Sequence, residues 1–133
     1  GATIKFLVDR GIPVVGHVGL RPQAVNVDGK FRAKGRTRDE RAQVLAEAKA
    51  ADAAGAFAIV VEGVDETLAP EITAAVRAPT IGIGASAKCD GQILVTPDLI
   101  GTYPWFTPKF VKPELNAAAQ IREAVTRWRS NLG

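Results

Sequence analysis

The feature that most constrains this chain is the run Phe57-Ala58-Ile59-Val60-Val61, which stops abruptly at Glu62-Gly63. Five apolar residues without polar alternation predict a strand of parallel sheet covered on both faces. The acid stands where the strand gives out. At the C-terminal ends of parallel strands, α/β proteins collect their chemistry. Glu62 is therefore a catalytic candidate, and the plainer alternative is a strand-end glutamate paired with a lysine or arginine. As a general base it needs a proton affinity lifted by an apolar wall, which residues 57–61 could supply.

The flanking segments read as alternating helices and strands. Ile4, Leu7 and Val8 have helical spacing and predict a helix over 4–10, with Gly11 at its C-terminal cap. Residues 12–20 predict a strand that runs into a glycine-rich mouth at Gly16-His17-Val18-Gly19. A long polar connection follows over 21–38, with a turn signal at Asp28-Gly29. A helix is predicted over 39–54, with Thr37 and Glu40 at capping-box spacing. Another is predicted over 65–76, with Asp65 as its cap and Pro70 as a break or new start. Strands are expected over 78–84 and 92–96, joined by a link too short for a full helix. Residues 103–113 read as irregular, and 117–132 as a closing helix with Ile121, Val125 and Trp128 on one face.

Strands separated by crossovers make a parallel sheet. Four of them suit a small doubly wound domain or one half of an eight-stranded barrel. A chain that opens on a helix favours the half-barrel.

Composition excludes several classes. With 133 residues, 47% hydrophobic and 23% charged, the chain holds one domain or half of a larger one. No run of about 18 apolar residues and no signal-like opening occurs, so a cytoplasmic location without a membrane span is expected. The net charge of +3 comes mostly from residues 30–41 and the last helix, with few aromatics between. That pattern predicts solvated faces rather than a nucleic-acid surface. One cysteine, Cys89, allows no internal disulfide and no cysteine-based metal site, and the lone His17 supports no multi-histidine one.

Secondary candidates are weighed in the same way. His17 stands between Gly16 and Gly19, where a ligand could approach the backbone, or it is a buried histidine satisfied by hydrogen bonds. Gly82-Ile83-Gly84-Ala85-Ser86 resembles a phosphate-cradling turn but lacks the P-loop lysine and the dinucleotide spacing. Asp90-Gly91 reads as a turn and Cys89 as a small buried filler. Lys109 and Lys112, interleaved with Trp105 and Phe110, could meet an anion but more simply cover a seam with their charges wet.

Four segments go beyond composition as a set. They are Gly11-Ile12-Pro13-Val14-Val15-Gly16-His17-Val18-Gly19-Leu20 with Pro22-Gln23, then Val60-Val61-Glu62, then Ile81-Gly82-Ile83-Gly84-Ala85 with Cys89-Asp90-Gly91-Gln92, and Pro108-Lys109-Phe110. Their order and spacing resemble the C-terminal half of the ketopantoate hydroxymethyltransferase (3-methyl-2-oxobutanoate hydroxymethyltransferase) family, over nearly the whole chain. The chain departs from the family pattern at Arg21 and Ala24, where small hydroxylated residues are expected. It also departs at Gly63 and Asp65, which replace a cysteine and a proline, and at Ser86, which replaces a glycine.

The resemblance implies a (βα)8 barrel to which residues 1–133 contribute a single segment, strands five to eight. It implies transfer of a hydroxymethyl group from 5,10-methylenetetrahydrofolate to α-ketoisovalerate, giving ketopantoate in pantothenate biosynthesis. The keto acid is activated by Mg2+, whose ligands, with a substrate-binding lysine, belong to the N-terminal half of the barrel. This chain then carries no metal ligand and is inactive alone. Carried over by position, Glu62 is the catalytic base and His17 lines the keto-acid pocket. The implied partners are the two substrates, the N-terminal half and further copies, since the family forms decamers; the aromatic segment 103–110 would serve subunit packing. The rival readings are a non-catalytic half-barrel that self-associates and a phosphate-binding fragment using Gly82 to Ser86.

Overall fold

Local hydrogen bonds set the helix ends in the computed structural model, which describes residues 1–22 and 32–132. Helix α1 (Ala2–Val8) unwinds into Gly11, at φ 75, where the Gly11 N–H donates to the Val8 carbonyl at 2.9 Å and the Ile12 N–H to that of Leu7 at 3.1 Å. This is the glycine closure its sequence predicts. Strand β1 (Val15–Gly19) follows. The turn expected at Asp28-Gly29, and the motif residues Gln23 and Ala24, lie outside the described residues.

Helix α2 (Arg38–Ala53) begins at Thr37, whose hydroxyl accepts the Glu40 N–H at 3.2 Å. Only half of the expected capping box forms. Instead of returning to Thr37, the Glu40 carboxylate accepts the N–H groups of Gly35 and Arg36 at 3.1 and 3.2 Å and pairs with Arg32. Burial pushes its pKa up, but the Arg36 and Gly35 amides and the Arg32 cation outweigh it and hold the carboxyl below its ordinary value.

Strands β2 (Ala58–Glu62), β3 (Thr80–Ile83) and β4 (Gly91–Gln92) join β1 in one four-stranded sheet. All pairings are parallel and the order is β1-β2-β3-β4. The order never reverses, unlike that of a doubly wound sheet at its switch point. It is the arrangement expected of half a (βα)8 barrel, α/β with four parallel strands and flanking helices.

The core lies on one side of this sheet. Val44, Ala48 and Ala51 of α2, with Leu68, Ala69 and Ile72 of α3 (Leu68–Ala75), form a buried cluster with Val18, Ile59 and Val61. Alternation sends Val15, His17, Val60 and Ile81 to the opposite face. There Val15 is exposed and Val60 and Ile81 are half-buried; Phe57, which lies outside β2, is 57% exposed. The strand expected to be covered on both faces is thus fully covered on one. Helices α2 and α3 both contribute their apolar residues to the same layer, and no described helix of this unit does so for the other face.

Helix α3 starts three residues later than predicted. The Asp65 carboxylate accepts the Thr67 N–H at 3.1 Å and its hydroxyl at 2.6 Å, so a turn precedes the helix. Pro70 falls in the first helical turn, where its missing N–H leaves no bond broken, and not in the middle. Arg41 of α2 ties the two helices, donating to Thr67 Oγ1 at 3.1 Å and Glu71 Oε1 at 2.5 Å.

The fourth strand departs most from expectation. It is confined to Gly91–Gln92, one hydrogen bond from Ile93 to the Gly82 carbonyl follows, and Thr96 already opens helix α4 (Thr96–Leu99). Ile93-Leu94-Val95 has strand character, but β3 offers it no further partner, and Pro97 suits a helix start. What secures β4 is Asp90, whose Oδ2 accepts the Thr80 N–H at 2.7 Å and hydroxyl at 2.9 Å; the Thr73 hydroxyl lies 2.8 Å from that of Thr80.

The chain divides into two compact units, Gly1–Ile93 and Leu94–Gly133. In the second, backbone bonds from Glu114 to Leu99 (2.8 Å) and from Ala117 to Ile100 (2.9 Å) join α4 to helix α5 (Ala117–Ser130), which Asn116 caps through the Ala119 N–H. The predicted apolar face of α5 forms, yet Ile121, Val125 and Trp128 are exposed and only Ala117 is buried. Among the described residues no helix is long and apolar enough to cross a membrane.

Replacing Asp90 by alanine strands the N–H of the fully buried Thr80 and leaves its hydroxyl only the Thr73 hydroxyl and the residue-90 N–H, an expected loss of about 1–3 kcal/mol at neutral pH in urea unfolding. The Thr80 amide and hydroxyl hold the Asp90 carboxyl below its ordinary value. Its stabilisation is therefore complete above the unfolded pKa of about 3.9 and lost as pH falls through the lower folded value. The gap between native chain and variant is expected to narrow in that acid range, and a gap unchanged there counts against the carboxylate.

Candidate active site

The mouth of β1 and β2 is built around a missing side chain. Gly19 is the register partner of Glu62 and has φ 95; a Cβ there would lie 2.2 Å from the Glu62 carbonyl oxygen and 2.6 Å from Val64 Cγ1. Only glycine combines that backbone angle with that closeness. The strand can then turn tightly, and the Leu20 N–H reaches the Glu62 carbonyl at 2.7 Å. With no side chain opposite it, Glu62 has room to lie back over His17, which stands two residues earlier on the same face of β1.

The two side chains meet: His17 Nε2 lies 3.1 Å from Glu62 Oε2, and they remain 30% and 23% exposed. An ionised carboxylate can only accept, so Nε2 carries the proton in this bond. On the other side of Glu62 the register partner is Ile83, which is buried, while Val60 and Ile81 line the same face deeper in the sheet. The apolar wall inferred from residues 57–61 is thus shared among neighbouring strands. The partner the structure gives Glu62 here is the histidine.

Among the remaining candidates, the segment Gly82 to Ser86 adjoins the pair through Ile83, the register partner of Glu62. The turn at Gly82 to Ser86 leads into a further turn and β4, with no helix N-terminus behind it. Ser86 is occupied internally, its hydroxyl accepting the Lys88 N–H at 3.3 Å and its carbonyl the Gln92 side chain at 2.9 Å. Cys89 is buried, as a filler should be. Lys109 and Lys112 lie in the second unit and are exposed, as are Trp105 and Phe110, while Val111 takes the buried position there. Among the described residues no group of three or more His, Cys, Asp or Glu side chains could hold a metal ion.

One feature escaped the sequence reading. A recess of about 150 Å³ beside Gly19 is lined by Arg21, Lys34, Glu40, Gln43, Val44 and Glu47. It exists because the chain returns to the end of β2, where the Lys34 N–H donates to the Gly63 carbonyl at 2.9 Å and the Asp65 N–H to the Lys34 carbonyl at 2.8 Å. The only signal for it was the length and polarity of the 21–38 connection.

The fold is that of an α/β protein, and the ionisable pair stands at the C-terminal mouth of adjoining parallel strands, the end at which α/β enzymes keep their sites. Comparison with known proteins narrows the class. All of residues 1–133 match the family model for ketopantoate hydroxymethyltransferase. Among relatives named 3-methyl-2-oxobutanoate hydroxymethyltransferase, that of Hyphomonas neptunium is 64% identical over 124 residues, covering 93% of this chain and 43% of the relative. Those of Phenylobacterium zucineum and Maricaulis maris are 59% and 60% identical, each over 98% of this chain and 47% and 46% of their own lengths. The chain belongs to the ketopantoate hydroxymethyltransferase family, and it spans about half the length of the curated relatives it matches.

Because Gly19 holds a left-handed angle against the Glu62 carbonyl, Gly19→Ala is expected to cost at least about 1–2 kcal/mol in urea unfolding. Gly91→Ala, with only Ile81 Cγ1 at 4.0 Å and no left-handed backbone angle, should cost less. Equal losses for the two would contradict the close approach of β1 and β2.

Proposed function

We propose that this chain supplies the general base of a ketopantoate-forming hydroxymethyl transfer, with Glu62 as that base and His17 beside it at the keto-acid pocket. The observation that carries the reading is the half-buried Glu62 carboxylate held at the strand mouth by His17 at 3.1 Å, within a chain of this family. The substrates, α-ketoisovalerate and 5,10-methylenetetrahydrofolate, follow from the family resemblance.

Glu62 takes the proton from the carbon next to the keto group. The C–H bond breaks, an O–H bond forms on the carboxyl, and the electron pair stays with the substrate as an enolate. That carbon then attacks the methylene carbon of the folate. A C–C bond forms as one C–N bond breaks with its electron pair going to nitrogen. Water displaces the second nitrogen, leaving the hydroxymethyl group on the substrate and tetrahydrofolate as the other product. The sheet offers Glu62 apolar neighbours at Val60, Ile81 and Ile83, which keep solvent from one side of the reacting carbon. The described residues do not fit a magnesium site, since no three His, Cys, Asp or Glu side chains among them converge. In this reading its ligands belong to polypeptide outside the chain, and residues 1–133 act as one half-barrel segment in a larger cytoplasmic oligomer.

The test is complementation. This chain is mixed with the N-terminal half of one of the named relatives and ketopantoate formation is followed, with each half alone as control. Product is expected only from the mixture, and Glu62→Gln is expected to lower kcat by about 10²–10⁴-fold. Turnover undiminished in that variant would remove Glu62 from the mechanism.

A further inference from the structure

We infer that His17 is a positioning residue for Glu62: its Nε2–H holds Oε2 of the carboxylate so that Oε1 is the oxygen presented to the substrate carbon. The inference rests on the reading of Glu62 as base and assigns His17 a task distinct from gripping the keto acid.

Glutamate has three rotatable side-chain bonds, and one at a strand mouth, partly open to water, has little to restrain it. The surroundings offer few restraints. Gly19, across β1, has no side chain, and Ile83, across β3, has no donor. Of the charged residues on the flanking segments, Arg21 and Lys34 line the recess beside Gly19, and Asp65 is engaged by Thr67 and Arg41. Among the described residues the single hydrogen bond to the Glu62 carboxylate is that from His17 to Oε2. Among the described residues Oε1 carries no side-chain hydrogen bond and is the acceptor left to the substrate.

The direction of the bond matters as well. A carboxylate oxygen that already accepts a proton donor is the poorer base of the two, so the proton from carbon goes to Oε1 while Oε2 keeps its bond. A misplacement of about 1 Å at a reacting atom costs up to about 10²-fold in rate, which sets the scale of what His17 contributes. Both residues sit on strands paired in register, so the restraint is anchored in the sheet and not in a loop.

The test uses the complemented enzyme and the chain in parallel. Exchange of the keto acid's α-carbon hydrogen in D2O, without folate, isolates the base's step. His17→Ala is expected to slow that exchange, and kcat, by about ten- to a hundredfold with KM changed less than about threefold, and to raise the primary isotope effect. His17→Gln, whose amide N–H extends to a similar reach, is expected to recover most of the rate. In the native chain a nitrogen-bound imidazole proton of His17 is expected to be visible by NMR and to vanish by solvent exchange in Glu62→Ala. A raised KM with unchanged kcat in His17→Ala, or a Gln variant as slow as the Ala one, would overturn the assignment and leave the base intact. Native complemented enzyme without turnover would instead overturn the proposed function, with the imidazole proton still reporting whether the pair forms.

Discussion

The parallel register of β1 on β2 is the constraint from which the rest follows. It sets Gly19 opposite Glu62 and His17 opposite Val60, so that the one histidine of the chain and the strand-end acid share a face two residues apart. A slip of one residue would send one of the two side chains into the helix-covered layer. There a charge among Val18, Val61 and Leu68 would lose its hydration without compensation. Burying the apolar face and presenting the pair are therefore the same act.

The sheet is finished on one side only. Helices α2 and α3 bury Val18, Ile59 and Val61, while Val15, Val60 and Ile81 look away from them. That asymmetry is ordinary for part of a barrel, whose inner face is filled by residues from all its strands. It agrees with the match to about half of each relative's length. The ends of the sheet differ in kind. At the mouth, glycines 19 and 63 let backbone turn tightly under the acid; at the foot, Asp90 and Thr80 fasten β4 to β3 with a carboxylate kept ionised by its donors. The ionisable pair stands at the first, and register is kept at the second.

Much of this was legible before any coordinates. Element types follow from periodicity and punctuation, as the closures at Gly11 and Thr37 illustrate. The misreadings share a cause. Ile93-Leu94-Val95 looks like strand because local pattern reports what a segment could pair with and not whether the partner is there. Phe57 misleads for the same reason. Pro70 shows the converse, a residue read as a break that a shift of the helix start renders harmless.

For the site the division is sharper. The sequence by itself determined that an acid ends a parallel strand, that a glycine-flanked histidine ends another, and which family the motifs resemble. Tertiary structure alone decided that these two side chains touch, through which atoms, and that the lysines at 109 and 112 belong to the other compact unit. The reason is separation along the chain: residues 45 positions apart meet only through strand register and a left-handed glycine, and neither can be computed from spacing.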